Sequence, residues 1–248
     1  MYRQTRVPRL RASLWLSVPD KADSLAEMGP GPSLIVPDGC MDLIVIEGQI
    51  VIAGADSLAR TYSGSLAPTV GLRFDSGVLP QLLATSAAEL ADRVTPVEAV
   101  LRRARFGVQG TGRGGIRSED GRIRGTDLDA AASVTGAART LLGLAGDLTD
   151  RASLDPRPMA LAGCLNVRSG SPGQTVAEAA DQFAYSPRQL RRLSAEWFGY
   201  GPKHLAKILR WQAARELIVA GRTRTAAAAE VGYADAAHLR RDERSLIG

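Results

Sequence analysis

The stretch Ser186-Pro-Arg-Gln-Leu-Arg-Arg-Leu193 brings Arg188, Gln189, Arg191 and Arg192 together within about one and a half helical turns. An arginine guanidinium carries five N–H donors in a rigid fork, which pairs with a phosphate or with O6 and N7 of guanine through two parallel bonds. If Leu190 and Leu193 face a core, helical geometry turns Arg188, Arg191 and Arg192 away from it and leaves Gln189 on the flank. That chemistry suits the edges and backbone of a nucleic acid. A solvated surface helix uses the same residue types, and this helix alone does not separate the two.

The surrounding elements decide how these side chains are held. Ser186 is placed as an N-cap with Pro187 at the first helical position, where its missing N–H costs nothing. A shorter helix precedes it. Thr175-Val-Ala-Glu178 forms a capping box, Val176, Ala179, Ala180 and Phe183 share one face, and Ala184-Tyr185-Ser186 makes the turn between the two helices. Gly199 and Gly201-Pro202 then end one helix and start a long one, with Leu205, Ile208, Leu209, Ala213 and Leu217 in register. After Gly221 the design repeats as a short helix, a turn at Gly232–Asp235 and a second helix carrying Arg240 and Arg241. Residues 174–248 therefore read as two helix-turn-helix units joined by a long helix, and this repetition favours DNA over a merely solvated face.

Composition narrows the classes. Hydrophobic residues make up 45% and charged residues 23% of the 248 residues, values of a folding globular chain. The net charge of +5 is unevenly spread. Residues 175–248 hold twelve basic against eight acidic side chains, and residues 1–174 hold nineteen against eighteen. Only Lys21, Lys203 and Lys207 are lysines, and a bias to arginine this general carries little weight alone. With no apolar run of about 18 residues and no secretory leader at the start, a cytoplasmic protein without a membrane partner is expected. Cys40 and Cys164 lack metal-ligand spacing and are expected as buried free thiols, so no metal and no cofactor is called for.

The fold class expected is α+β. Residues 1–106 read as a small β-sandwich or barrel-like domain with helices. The runs ASLWLSV, SLIVP, MDLIVI, QIVIAG and PTVGLRF alternate with Pro, Gly and Asp, and helical segments follow from Leu79, with Ser86 and Thr95 as N-caps and Pro96 at a first helical position. Residues 107–126 are rich in glycine and arginine and poor in apolar side chains, as in a flexible linker. Residues 127–173 make a helical connector, with helices expected in the alanine-rich stretch to Asp147 and again over 155–170. Pro37-Asp38-Gly39 reads as turn chemistry between strands.

The C-terminal region resembles the paired helix-turn-helix domain of AraC-type transcription regulators in three places: SPRQLRRL, GYGPKHLAKILRWQAAREL and GYADAAHLRRD. The resemblance implies base contacts from Arg188, Arg191 and Arg192 in the first unit and from Arg240 and Arg241 in the second, with Ser186 and Gln189 near phosphates. Residues from VPDGCMDLIVIEGQIVIAG to TPVEAV are similar to the β-rich, sensor-like domain preceding this DNA-binding domain in many regulators. This implies a small-molecule effector or a homodimer; contact with RNA polymerase is a habit of the family. Neither the effector nor the residues that bind it are named by the sequence.

The second unit departs from the family pattern. Arg224 and Ala227 stand where Leu or Ile usually anchor the short helix, Glu243 replaces a buried aromatic, and the Pro-containing tail is lacking after Gly248. A buried, unpaired carboxylate costs several kilocalories per mole, so a poorly ordered second unit is expected. In the first unit Ser194 replaces a common core aromatic, with Trp197 and Phe198 available to refill the space. Two readings follow: a sequence-specific, effector-responsive transcription regulator, and a small-molecule-binding or dimerisation protein with a decayed DNA-binding domain. An enzyme is not expected. His204 and His238 lie within the helix-turn-helix region, and TGRGG at 111–115 follows no convincing strand.

Overall fold

The protein's structure, a computed structural model, describes residues 2–18, 33–62, 68–107, 134–167 and 173–248. The strands are β1 (Tyr2–Val7), β2 (Ala12–Ser17), β3 (Ser33–Ile35), β4 (Met41–Ile46), β5 (Gln49–Ala53), β6 (Arg60–Tyr62), β7 (Thr69–Phe74) and β8 (Val94–Pro96). Six form one antiparallel sheet in the order β1-β2-β7-β4-β5-β8, open at β1 and β8, while β3 and β6 pair as a separate ribbon. Every expected strand is present, and β1, β6 and β8 add to them.

Two helix starts differ from expectation. Thr95 and Pro96 do not cap and open a helix; they end β8, with Thr95 opposite Ile52 of β5, and the helix α2 (Val97–Gly107) follows. The free edge of β5 takes up this backbone, and a proline is tolerated on an edge strand. Ser86 does act as an N-cap, accepting from the Ala88 N–H, but of a 3-10 turn over Ala87–Glu89. That turn comes after the single turn of α1 (Leu79–Leu82). The expected linker lies outside the described residues beyond Gly107.

Strand parity divides the sheet into two faces. Leu43, Ile52, Leu72 and Phe74 point to one side and are fully buried. Helix α3 (Val134–Arg151) lies across β7 and β4 on that side and buries Leu141 and Ala145, so part of the expected connector forms a wall of the N-terminal core. The opposite face carries Trp15, Asp42, Ile44 and Arg73. Next come α4 (Arg157–Leu165), α5 (Val176–Gln182), α6 (Pro187–Phe198), α7 (Pro202–Val219), α8 (Arg224–Glu230) and α9 (Ala236–Ile247).

These helices are not strung loosely behind the sheet. One hydrophobic cluster runs from Leu43 and Leu72 to Leu205, Trp211 and Leu246. Polar contacts secure the same junction: His204 Nε2 lies 2.8 Å from the Ser57 carbonyl, Gln212 donates to the Pro37 carbonyl at 2.6 Å, and the Ala59 N–H donates to the Leu246 carbonyl at 2.6 Å. Helix α6 rests on the Ala87–Glu89 turn.

Candidate nucleic-acid interface

The first helix-turn-helix unit is built from reciprocal caps. Thr175 Oγ1 accepts from the Glu178 N–H at 3.2 Å while Glu178 Oε2 accepts from the Thr175 N–H at 2.7 Å. Ser186 and Gln189 repeat the arrangement at the start of α6, at 3.3 and 2.9 Å. Four orphan donors are thereby satisfied, fixing both helix starts on either side of the turn. The inward side of α6 carries Leu190, Ser194 and Phe198, all essentially unexposed, with Leu193 half-buried at the margin. Arg188, Gln189, Arg191 and Arg192 are exposed. The Ser194 hydroxyl donates to the Tyr200 carbonyl at 2.8 Å, tying the end of α6 to the next turn, and Phe198 takes up apolar packing over Gly77.

The second unit is formed, contrary to expectation. Thr223 caps α8 and Asp235 caps α9, and Ala227, Ala228, Val231, Leu239 and Leu246 are buried between them and α7. The two substitutions that looked damaging compensate each other. Arg224 Nη1 donates to Glu243 Oε2 at 2.6 Å, so the carboxylate is paired where an apolar contact was expected. Both groups keep part of their surface, at 42% and 27% side-chain exposure, which spares the cost of full desolvation. Replacing either by Ala should cost about 1 kcal/mol, and the double variant no more than either single one, in urea unfolding. Strict additivity would show that the pair is not coupled. Arg240 and Arg241 are exposed on α9. His238 stacks edge-on to Tyr233, and His204 faces the N-terminal domain.

The face of the sheet opposite α3 opens into a cavity of about 1400 Å³, closed on the far side by residues of α4 and α7, among them Met159, Leu209 and Gln212. At its floor Trp15 on β2 reaches over β7 to Asp42 on β4, its indole N–H donating to Oδ1 at 2.8 Å. Gly71 permits this crossing, because a Cβ there would overlap the indole. Arg73 lies between two carboxylates, 3.4 Å from Asp42 and 3.2 Å from Asp38. Burial pushes the Asp42 carboxyl up to about 6; Arg73 opposes this and Asp38 adds to it. Burial disfavours the Arg73 charge, but Asp38 and Asp42 outweigh it and hold that guanidinium above its usual range.

Asp38 also keeps the turn role expected of Pro37-Asp38-Gly39, accepting from the Cys40 N–H at 2.9 Å. Cys40 and Cys164 are free, and both are half-buried as residues; burial pushes the Cys40 thiol up and makes it a poor nucleophile. The sequence reading missed Trp15, Asp42 and Arg73. A signal was present in the charges that interrupt the apolar runs MDLIVI and TVGLRF.

Residues 179–248 match a family described as a helix-turn-helix domain. The chain is similar to crystal structures of ToxT from Vibrio cholerae. One, from O395, shows 11% identity over 88% of this chain and 90% of that one, with a TM-score of 0.41. A form bound to (E)-4-(8-methylnaphthalen-1-yl)but-3-enoic acid shows 9% identity over 99% and 94%, with a TM-score of 0.43. An unsaturated fatty acid-bound form shows 10% identity over 87% and 83%, with a TM-score of 0.38. A likeness this distant assigns no role to any residue. No curated protein matches the chain.

Proposed function

We propose that this chain, whose C-terminal third is a helix-turn-helix domain of the AraC type, is an effector-responsive transcription regulator that reads the major groove with α6 and α9. The observation that carries the reading is the matched pair of capped helices, each with a buried leucine beneath exposed arginines: Leu190 under Arg188, Arg191 and Arg192, and Leu239 under Arg240 and Arg241. The arginines are free to turn toward a duplex. Arg192 spans an exposed i,i+4 pair with Glu196 at 3.3 Å, which contributes about 0.3–0.5 kcal/mol. A bidentate contact to guanine contributes about 1–3 kcal/mol of discrimination, so the base wins that competition.

Ser186 and Gln189 hold each other through the capping box, and the Gln189 NH2 group keeps donors for a nearby phosphate. A homodimer would supply a second pair of reading helices and a symmetric site.

The test is selection of bound sequences from a random duplex pool at two salt concentrations. An enriched motif spanning two adjacent major-groove segments is expected. Arg191→Ala and Arg192→Ala should each reduce discrimination at one position by roughly ten- to a hundredfold. Lys203→Ala, at the exposed start of α7, should weaken all sequences alike and lessen the salt dependence. Equal losses on every sequence from the arginine variants would defeat base readout.

A further inference from the structure

The cavity under α7 has a charge imbalance in its lining. Five carboxylates and three guanidiniums face it, with no lysine or histidine among the described residues. Asp56 is matched by Arg60 at 2.9 Å and Asp75 by Arg6, from outside the lining, at 2.6 Å, while Glu216 and Arg215 enter together as neighbours on α7. At the centre, Asp38 and Asp42 share the single guanidinium of Arg73. Among the described residues, one negative charge there is left without a partner of opposite sign.

The rest of the floor mixes aromatic and apolar side chains with the polar Gln4, Ser17 and Thr69. Trp15 stacks with Tyr2 at a centroid distance of 6.1 Å, and Ile44 stands beside Asp42 on the same face. An aromatic pair with an exposed Tyr2 ring, next to an unbalanced carboxylate, favours a cation with an organic body. A bare metal ion fits poorly, since no group of three or more potential ligand side chains is assembled among the described residues. The volume of about 1400 Å³ likewise exceeds what a single ion needs and leaves room for an organic molecule.

Resting on the reading of the chain as an effector-responsive regulator, we propose that this cavity binds a small organic cation, an ammonium or amidinium on an aromatic or apolar body. The cationic head lies against Asp38 and Asp42 and the body lies along Trp15 and Ile44. The occupant is sensed by α7, which contributes Leu209 and Gln212 to the roof and joins the two helix-turn-helix units. Gln212 already bonds to the Pro37 carbonyl beside Asp38, so a ligand that draws Asp38 inward shifts the seat of α7. The two units then change spacing together.

Asp42 gives the site a pH signature. The groups facing it are Arg73, which stays charged, Asp38, the neutral Cys40 thiol and the Tyr2 phenol. Its carboxyl titrates higher in the folded chain than its unfolded reference near 4, so ionising it costs folding stability as pH rises from about 4 to about 6. A bound cation relieves that cost. Cation affinity is therefore full above pH 6 and falls as pH drops through it.

The experiment uses the full chain and two probes of one shape, 2-phenylethylammonium and 3-phenylpropionate, followed by calorimetry and thermal unfolding at pH 7.5 and 5. The amine is expected to bind and raise the midpoint at pH 7.5, to weaken at pH 5, and to lose about tenfold or more in affinity in Asp42→Asn. Asp38→Asn serves as the second variant and should lose affinity likewise if Asp42→Asn does not fold. Binding of the propionate instead, binding of neither probe, or amine affinity unchanged in both variants would overturn the proposal. The duplex selection is scored separately. A chain that selects DNA but ignores the amine loses this inference alone, and one that binds the amine but no DNA loses the regulator reading.

Discussion

Trp211→Ala is expected to cost about 3–5 kcal/mol and to abolish DNA selection with it. Trp211 is 2% exposed and lies on the buried side of α7 with Leu205, Ile208 and Ala214. Helix α7 contacts α4, α5, α6, α8 and α9, and Trp211 lies midway along it in the hydrophobic cluster these helices share. Removing the indole opens a void in that cluster. The loss is a large fraction of the whole stability of a typical domain. Urea unfolding followed by the helical circular dichroism signal measures it, and Trp211→Phe should restore most of the loss. A midpoint within about 1 kcal/mol of the parent would mean that the site collapses freely and that α7 does not hold the units together.

Gly54→Ala is expected to destabilise the chain by about 3 kcal/mol, although it adds only one methyl group. A Cβ at Gly54 would overlap the backbone carbonyl of Leu90. The two backbones are drawn together by hydrogen bonds from the Gly54 N–H to the Arg93 carbonyl at 3.1 Å and from the Asp92 N–H to the Ala55 carbonyl at 3.2 Å. Backbone cannot swing aside as a flexible side chain does. The Ala87–Glu89 turn must move, and it is the seat of α6, so the substitution should also loosen the first helix-turn-helix unit. Hydrogen exchange on α6 measures this directly. Unchanged protection of α6 together with a lowered global midpoint would show that the strain stays within the sheet.

How much of this was legible beforehand differs by region, for physical reasons. The C-terminal helices were readable because their signals are local: Thr175 with Glu178 and Ser186 with Gln189 are each three residues apart, and every capped start appears where the sequence placed it. The strands in apolar runs were readable on the same ground. β1 was not, because Tyr2–Val7 is an exposed edge strand whose side chains carry no alternating pattern. β8 was hidden by Thr95-Pro96, a pair that suits a helix start as well as an edge strand and was decided by the free edge of β5.

The charge pairs mark the boundary most clearly. Arg224 and Glu243 lie nineteen residues apart and read as two separate injuries; the packing of α8 on α9 makes them one contact. Trp15, Asp42 and Arg73 come from three strands, and only the register of β2, β7 and β4 brings them to one face. The sequence by itself determined the C-terminal helix starts, the apolar strands and the two arginine-bearing helices, since capping and periodicity act over three or four residues. The tertiary structure decided the pairing of Arg224 with Glu243, the seat of α7 on the sheet, and the carboxylate-lined cavity. Each of those depends on groups that meet only after the chain has folded.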